Sequence, residues 1–297
     1  MILQRGGTVG VMATFPGRFS FVAEVAASIA PQLDRLVIYV NETLDGFPDL
    51  GHLPNVTVLD GRDHAGDLSA NAKVYPLDLF EECQVFVLDD DFIFPSDYVA
   101  RYRAILDLFD GGCCVTTHGS TFLPAVDWYY NRAEVFVSIR GCPRVQLACL
   151  AGSGTFAFDQ RRLPCRAADF PDEVMVDLQF SLMARRAGLP IWVIDRPEGW
   201  LENIKTPGLW ERFSTGNITH HTRVAREVDW SFEPFRRIAA EALDRLPDGI
   251  PARAFRARLD PDLQESLVSG RVPLSWTQGT PSFRFERDHL EILAQGG

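Results

Sequence analysis

Residues 84–91 read QVFVLDDD, an apolar run of strand length that ends in three consecutive aspartates. Three comparable runs precede it in the chain, TVGVMAT at 8–14, RLVIYV at 35–40 and NVTVL at 55–59. Between the first two, FSFVAEVAASIA at 19–30 places apolar residues at helical spacing. Runs that are apolar throughout, alternating with helix, predict a mostly parallel sheet covered by helices on its faces.

The pattern continues along the chain and then changes. Further helical or strand-like segments are predicted at 69–80, 97–109, 113–119, 147–158 and 173–187. Residues 120–145 are aromatic and are expected to be irregular. From about residue 230 the sequence is Arg-rich and helical. We therefore predict an α/β domain at 1–229 and a helical C-terminal extension at 230–297.

Composition narrows the class of protein. The chain has 297 residues, 46% of them hydrophobic, which suits one large globular domain or two small ones. Its net charge of −11 argues against general nucleic-acid binding, which requires a basic surface. The six cysteines include no CxxC pair and are expected to be buried free thiols. No apolar stretch reaches the length of a membrane span and no signal peptide is evident, so we expect a cytoplasmic protein.

The predicted sheet indicates where a ligand would bind. In open α/β sheets, ligands lie beyond the carboxyl ends of the parallel strands. The side chains that follow the first two predicted strands make candidate contacts to such a ligand: Thr14, Arg18, Asn41 and Glu42.

The aspartate triplet is the sharpest candidate site. Like charges at the end of a buried strand are costly unless a positive group lies beside them. Successive residues of an extended segment point to opposite sides, so Asp89 and Asp91 can share one side and chelate a hard divalent cation. The alternative is an exposed acidic turn that ends the strand.

Four further features carry polar groups that suit the same ligand. Residues 61–73 bring Asp67 and Lys73, and Gly152-Ser153-Gly154 offers backbone amides and a hydroxyl. Asp177 lies on a largely apolar helix and can act as a base, and His220 or His221 can supply a third metal ligand. Structural alternatives remain open: Asp67 as a helix cap, Asp177 paired with Arg185, and the histidines as polar surface. His64 and His118 are weaker candidates.

Taken in chain order, residues 8–225 resemble nucleotide-sugar glycosyltransferases of the Rossmann-like GT-A fold, and most closely the large bacterial inverting family, family 2-like. VFVLDDDFIFPSDYV at 85–99 resembles the Asp-x-Asp motif of that family with its following proline. The resemblance implies that Asp89 and Asp91 lie near a diphosphate-bound Mn²⁺ or Mg²⁺, with Asp90 toward the ribose or sugar. It also implies that Asn41 or Glu42 contacts the base.

Other motifs of the family are matched less closely. VDLQFSLMARRAG is similar to the Glu-Asp helix whose acid acts as base, which implies that role for Asp177. The glutamate expected before it is Val176, so Asp172 or Glu173 stays open as the base. AGSGTFAF looks like the segment that lines the donor-sugar and acceptor side, and His220 or His221 matches a distal metal-binding histidine.

The resemblance implies metal-dependent transfer of a sugar from a nucleoside diphosphate, expected to be UDP-linked, to a hydroxyl of a saccharide or lipid-linked saccharide. This activity would serve bacterial surface polysaccharide synthesis, with peripheral membrane contact and no nucleic-acid partner. One alternative is a sugar-nucleotide nucleotidyltransferase, although TFPGR is a poor version of the Gly-rich loop that such enzymes carry after the first strand. Another is a non-catalytic GT-A-like protein that binds a glycan or a partner.

Overall fold

The structure is a computed structural model that describes residues 2–172, 175–204 and 218–277. Within these ranges the strands are β1 (Gln4–Arg5), β2 (Thr8–Thr14), β3 (Arg35–Val40), β4 (Val56–Asp60), β5 (Phe80–Glu81), β6 (Gln84–Leu88), β7 (Phe92–Ile93), β8 (Cys114–Thr116), β9 (Gly119–Phe122), β10 (Arg132–Phe136), β11 (Gln146–Ala148), β12 (Leu150–Ala151), β13 (Thr155–Asp159), β14 (Ile191–Val193) and β15 (Glu202–Asn203). The α-helices are α1 (Phe19–Ile29), α2 (Tyr98–Leu108), α3 (Val176–Arg186), α4 (Ile218–Arg226), α5 (Phe232–Asp244), α6 (Ile250–Arg258) and α7 (Pro261–Ser269).

The centre of the fold is an eight-stranded sheet in the order β11-β14-β8-β13-β6-β2-β3-β4. Strands β2, β3, β4 and β6 pair in parallel, as do β8 and β14, whereas β13 and β11 run in the opposite direction. The prediction of a mostly parallel α/β sheet flanked by helices is therefore confirmed. The carboxyl ends of β2, β3, β4 and β6 meet at one edge, where the aspartate triplet begins.

Both faces of this sheet are covered, which explains why its strands are apolar throughout. Phe86 and Leu88 point into a core shared with Val25 of α1. Val85 and Val87, one residue out of phase, point into a second core on the opposite face. The period of two along a strand thus divides a continuous apolar run between two helical layers.

Two segments differ from the sequence-based expectation. Residues 69–80 form no α-helix but two short 3₁₀ helices, Ser69–Lys73 and Tyr75–Leu79, followed by β5. Pro76 lies in the first turn of the second of these, where its missing amide would interrupt a continuous helix. The aromatic segment 120–145 is also not wholly irregular, because β9 pairs with both β10 and β12 in a three-stranded sheet.

The helices after residue 230 share the core with the sheet. The ring of Phe255 in α6 lies 5.5 Å from the ring of Trp192 in β14 and 5.1 Å from that of Phe109. Within the described ranges, no helix is both long and apolar enough to cross a bilayer. All six cysteines are buried free thiols, as the sequence predicts.

Candidate functional site

The aspartate triplet lies at the carboxyl end of β6, beside the end of β2, and its charges are partly compensated by a buried arginine. Arg18, in a 3₁₀ turn that follows β2, forms an ion pair with Asp90 and another with Asp91 at 3.1 Å. Arg18 and Asp90 are 6% and 4% exposed, so this pair is almost fully removed from water. Thr14, the last residue of β2, is buried in the same region. The triplet is therefore not an exposed acidic turn.

The remaining carboxylate of the triplet, that of Asp89, is paired with a different cation. Lys73, at the end of the 3₁₀ helix Ser69–Lys73, forms an ion pair with Asp89. Gly154 allows this arrangement from the other side, because a Cβ atom there would lie 1.9 Å from Asp89 Oδ2. Three segments that are distant in sequence thus converge on one carboxylate.

Burial and neighbouring charges shift the pKa values of Asp90, Asp91 and Lys73. Burial, and then the charge of Asp89, raise the pKa of Asp91 to about 6. Burial also raises the pKa of Asp90, against the opposing effect of Arg18. Burial alone would lower the pKa of Lys73, but the charges of Asp89, Asp177 and Asp90 outweigh it and raise that pKa. Three carboxylates against two cations leave a site to which a further positive charge is attracted.

The donor set of the triplet fits a hard divalent cation. Carboxylate oxygens are the ligands that Mg²⁺ prefers, and it commonly takes one or two of them together with substrate phosphates and water. Asp89 keeps 38% of its side-chain surface exposed and Asp91 keeps 20%, so both remain open to an ion. In the part of the chain that the structure describes, no group of three His, Cys, Asp or Glu side chains is arranged around one point. Asp89 and Asp91 would therefore hold an ion together with oxygens of the substrate.

Asp177 is bonded to the Gly152–Gly154 segment, and the carbonyl of Gly154 accepts a hydrogen bond from the amide of Asp89. Asp177 lies in the first turn of α3, and its Oδ1 accepts a hydrogen bond of 2.7 Å from the backbone amide of Ser153. The hydroxyl of Ser181, one turn further along α3, accepts from the amide of Ala151 at 3.0 Å. These two bonds fix the glycine segment to the helix and place Asp177 within electrostatic reach of Lys73.

His118, a weaker candidate in the sequence analysis, lies next to the glycine segment. Its ring packs against Gly152, where a Cβ atom would lie 2.7 Å from the ring carbon Cδ2. Burial lowers the pKa of His118, against the opposing charge of Asp177. The histidine therefore stands beside the predicted base, but nothing in the segment CCVTTHG alone indicates this, because the placement depends on the turn between β8 and β9.

Arg132 on β10 is a residue that sequence reasoning missed. Its guanidinium carbon lies 4.0 Å from the ring centre of Phe122 and 4.3 Å from that of Tyr129, and its Nε donates to the hydroxyl of Ser120 at 3.0 Å. Burial lowers the pKa of Arg132, while Asp177 is among the charges that oppose this effect. The signal that the sequence offers is an arginine two residues after the aromatic run WYY at 128–130.

Asp172 and His220, two of the other candidate site residues, are paired with each other. Asp172 Oδ1 is 3.1 Å from His220 Nε2, and Asp172 Oδ2 accepts from Gln179 at 3.3 Å. Glu173 lies outside the described residues. His221 is buried, with its ring 5.0 Å from that of Tyr129. The structure thus pairs His220 with Asp172 and does not show either histidine beside Asp89 or Asp91.

The residues predicted to contact the base have mainly structural bonds here. Asn41 donates to the carbonyl of Ser69 at 3.1 Å and accepts from the amide of Leu68 at 3.0 Å, which orients the 3₁₀ helix that ends in Lys73. Asp67 accepts from the amide of Ser69 at 2.8 Å, and Glu42 is exposed with a positive φ of 67°. Asn41 therefore acts on the site through the position of Lys73.

Comparison with solved structures finds 75 chains that are similar to this one. A protein from Bacillus anthracis assigned as a glucose-1-phosphate thymidylyltransferase, solved in complex with sucrose, aligns with 75% of this chain and 97% of its own length. Sequence identity is 11% and the TM-score is 0.36, values too low to carry an argument about function. No protein-family model matches the chain, and no curated protein sequence matches it.

Proposed function

We propose that the chain is a metal-dependent glycosyltransferase that moves a sugar from a nucleoside diphosphate to a hydroxyl group of a saccharide acceptor. The observation that carries this proposal is the convergence of Asp89, Asp90 and Asp91 with the buried cations Arg18 and Lys73 at the carboxyl end of β6. Such a site offers carboxylates to a divalent ion and cations to phosphate, which is what a diphosphate–metal complex requires.

Each residue has a role in this reaction. Lys73 and Arg18 supply positive charge toward the diphosphate, and Asp90 holds Arg18 in place. A bound Mn²⁺ or Mg²⁺ would neutralise charge that develops on the leaving diphosphate. The backbone of Gly152–Gly154 would line the sugar. The amide of Ser153 is already bound to Asp177, so Asp177 and the sugar would lie on the same side of this segment.

The chemistry requires a base near the acceptor hydroxyl. We assign this role to Asp177, which would take the hydroxyl proton while the oxygen attacks the anomeric carbon and the bond from that carbon to the diphosphate breaks. Asp172 and Glu173 are the alternatives. Asp172 is the weaker one, because both of its carboxylate oxygens have partners within the chain.

A sugar-nucleotide nucleotidyltransferase is the second candidate, and it is the activity for which the aligned Bacillus anthracis protein is named. The observation in its favour is Arg18, a cation placed directly after β2. The loop that carries it, TFPGR, is however a poor version of the Gly-rich loop that such enzymes carry at this place. The two candidates release different products, because transfer from a sugar nucleotide frees a nucleoside diphosphate and its synthesis frees pyrophosphate.

A product assay tests the proposal. The purified chain is incubated with Mn²⁺ and UDP- or GDP-sugars, and in parallel with sugar 1-phosphates and nucleoside triphosphates. We expect release of nucleoside diphosphate in the first set, lost in Asp91→Asn and kept in Asp107→Asn, an exposed control in α2. Release of pyrophosphate from the second set alone would favour the nucleotidyltransferase. Failure of Mn²⁺ to affect either reaction would overturn the metal-dependent assignment.

A biological setting is proposed as well. A saccharide or lipid-linked saccharide acceptor and a place in surface polysaccharide synthesis follow from the family resemblance. Peripheral membrane contact is proposed for the Arg-rich segment after residue 230, and a cytoplasmic site of action from the sequence pattern. The non-catalytic glycan-binding alternative predicts that glycans bind without a nucleoside diphosphate, which calorimetry would show.

A further inference from the structure

Lys73 is placed unusually for a lysine. It is 8% exposed, and only Lys73 and Lys205 in the whole sequence are lysines. Its ammonium is paired with Asp89, whose side chain keeps 38% of its surface in solvent. The lysine therefore lies on the protein side of the carboxylate, while the carboxylate itself faces outward.

Charge around the triplet is close to balance. Asp89, Asp90 and Asp91 are opposed by Lys73 and Arg18, which leaves a single formal negative charge if every group is ionised. A free divalent ion at Asp89 and Asp91 would meet the positive charge of Lys73 at close range. A nucleoside diphosphate would bring negative charge of its own and would be attracted to the same lysine.

We propose that Lys73 couples the two ligands: it weakens binding of a free divalent ion at Asp89 and Asp91 and strengthens binding of the diphosphate. The inference rests on the proposed function, since it assumes that both ligands share this site. Its consequence is that the ion binds tightly only together with the nucleotide. A purely structural lysine would instead support both ligands, and its loss would weaken both.

The size of the effect follows from the charges. Removal of a unit charge some 6 Å from a divalent ion, even at the dielectric constant of water, changes the affinity by about tenfold. Lys73→Met keeps the length and the apolar stem of the side chain and removes the ammonium. Arg103→Met is the matched control, because Arg103 is an exposed cation in α2 whose partner, at 4.0 Å, is Asp107.

The experiment measures binding rather than activity. Mn²⁺ affinity without nucleotide is measured by electron paramagnetic resonance, and affinity for UDP and GDP in EDTA is measured by calorimetry. We expect Lys73→Met to bind Mn²⁺ about tenfold more tightly and the diphosphate about tenfold more weakly, with Arg103→Met within twofold of the wild type for both. Weaker or unchanged Mn²⁺ binding by a folded Lys73→Met protein would overturn the proposal.

A second variant keeps the proposal testable if Lys73→Met does not fold. Asp89→Asn frees Lys73 from its partner, so it should bind UDP or GDP more tightly in EDTA while losing Mn²⁺ affinity. Unchanged or weaker diphosphate binding by Asp89→Asn would overturn the coupling. If neither diphosphate binds the wild type with Mn²⁺ present, it is the proposed function that fails, and the Mn²⁺-alone comparison of Lys73→Met still decides whether the lysine opposes the ion.

Discussion

Arg18 illustrates, at the scale of a single residue, how this site keeps charges buried. Its guanidinium is paired with Asp90 and Asp91, and those charges raise its pKa although burial alone would lower it. A buried ion pair adds little stability over an apolar pair, but removal of one member leaves the other uncompensated. The strand ends therefore depend on Arg18 for stability as well as for charge.

Arg18→Met is accordingly expected to lower the free energy of unfolding by about 3–5 kcal/mol, because Asp90 stays buried without its partner. Urea unfolding measures this change. Arg103→Met, which removes an exposed arginine, should stay within about 0.5 kcal/mol of the wild type. If both substitutions changed the free energy of unfolding equally, the loss of Arg18 would not leave a costly unpaired charge on Asp90.

Asp91 predicts a pH dependence of stability. Its folded-state pKa of about 6 lies above the ordinary value of 3.8, so folding favours the protonated form. The stabilising contribution is present below about pH 4 and is lost as the pH rises through about 6. In EDTA, Asp91→Asn should therefore flatten the stability profile between pH 4 and 7 and be more stable than the wild type at pH 7 by about 1–3 kcal/mol. A parallel, unchanged profile would contradict the raised pKa.

The elements of the fold determine which of these residues could be foreseen. Strand β2 coincides with the predicted segment 8–14 and β3 with 35–40, because their apolar runs are local properties of the sequence. The rule that ligands lie beyond strand ends is enough to indicate the triplet as a candidate site. The pairing of Lys73 with Asp89 could not be found in this way, since it depends on how two 3₁₀ turns cross the sheet edge. Arg132 depends similarly on the pairing of β9 and β10.

The role of Asp177 as a base can be tested separately from its hydrogen bond to the Ser153 amide. The side chain lies in the first turn of helix α3, where the helix dipole favours negative charge. In Asp177→Asn the amide oxygen still accepts from Ser153, so the free energy of unfolding should change by no more than about 1 kcal/mol. The transfer rate should fall by about 10² to 10⁴ fold, since the amide cannot act as a base. Retained activity would shift the role of base to Asp172 or Glu173.

At the level of the whole molecule, helices α5, α6 and α7, which follow the site in sequence, contribute side chains to the core. Residues of α5, α6 and α7 belong to the same core as α1, α2 and one face of the sheet. These three helices are therefore part of the core that supports the sheet. The division into an α/β domain at 1–229 and a helical extension at 230–297 stays a prediction.

Phe255→Ala tests this support. The side chain is 2% exposed and packs on Trp192 and Phe109, so its truncation should cost about 3–5 kcal/mol of unfolding free energy. Ile250→Ala in the same helix is the control, because Ile250 is 74% exposed and its loss should cost less than about 0.5 kcal/mol. Similar costs for both would indicate that α6 does not contribute to the core.

We propose above that the triplet binds a divalent ion together with a nucleoside diphosphate. A crystal structure of the chain with Mn²⁺ and UDP or GDP, with the ion located from its anomalous scattering, tests it most directly. We expect an ion bound by carboxylate oxygens of Asp89 and Asp91 and by phosphate oxygens, with Lys73 within hydrogen-bond distance of the diphosphate. A nucleotide bound elsewhere, with no ion at the end of β6, would contradict it.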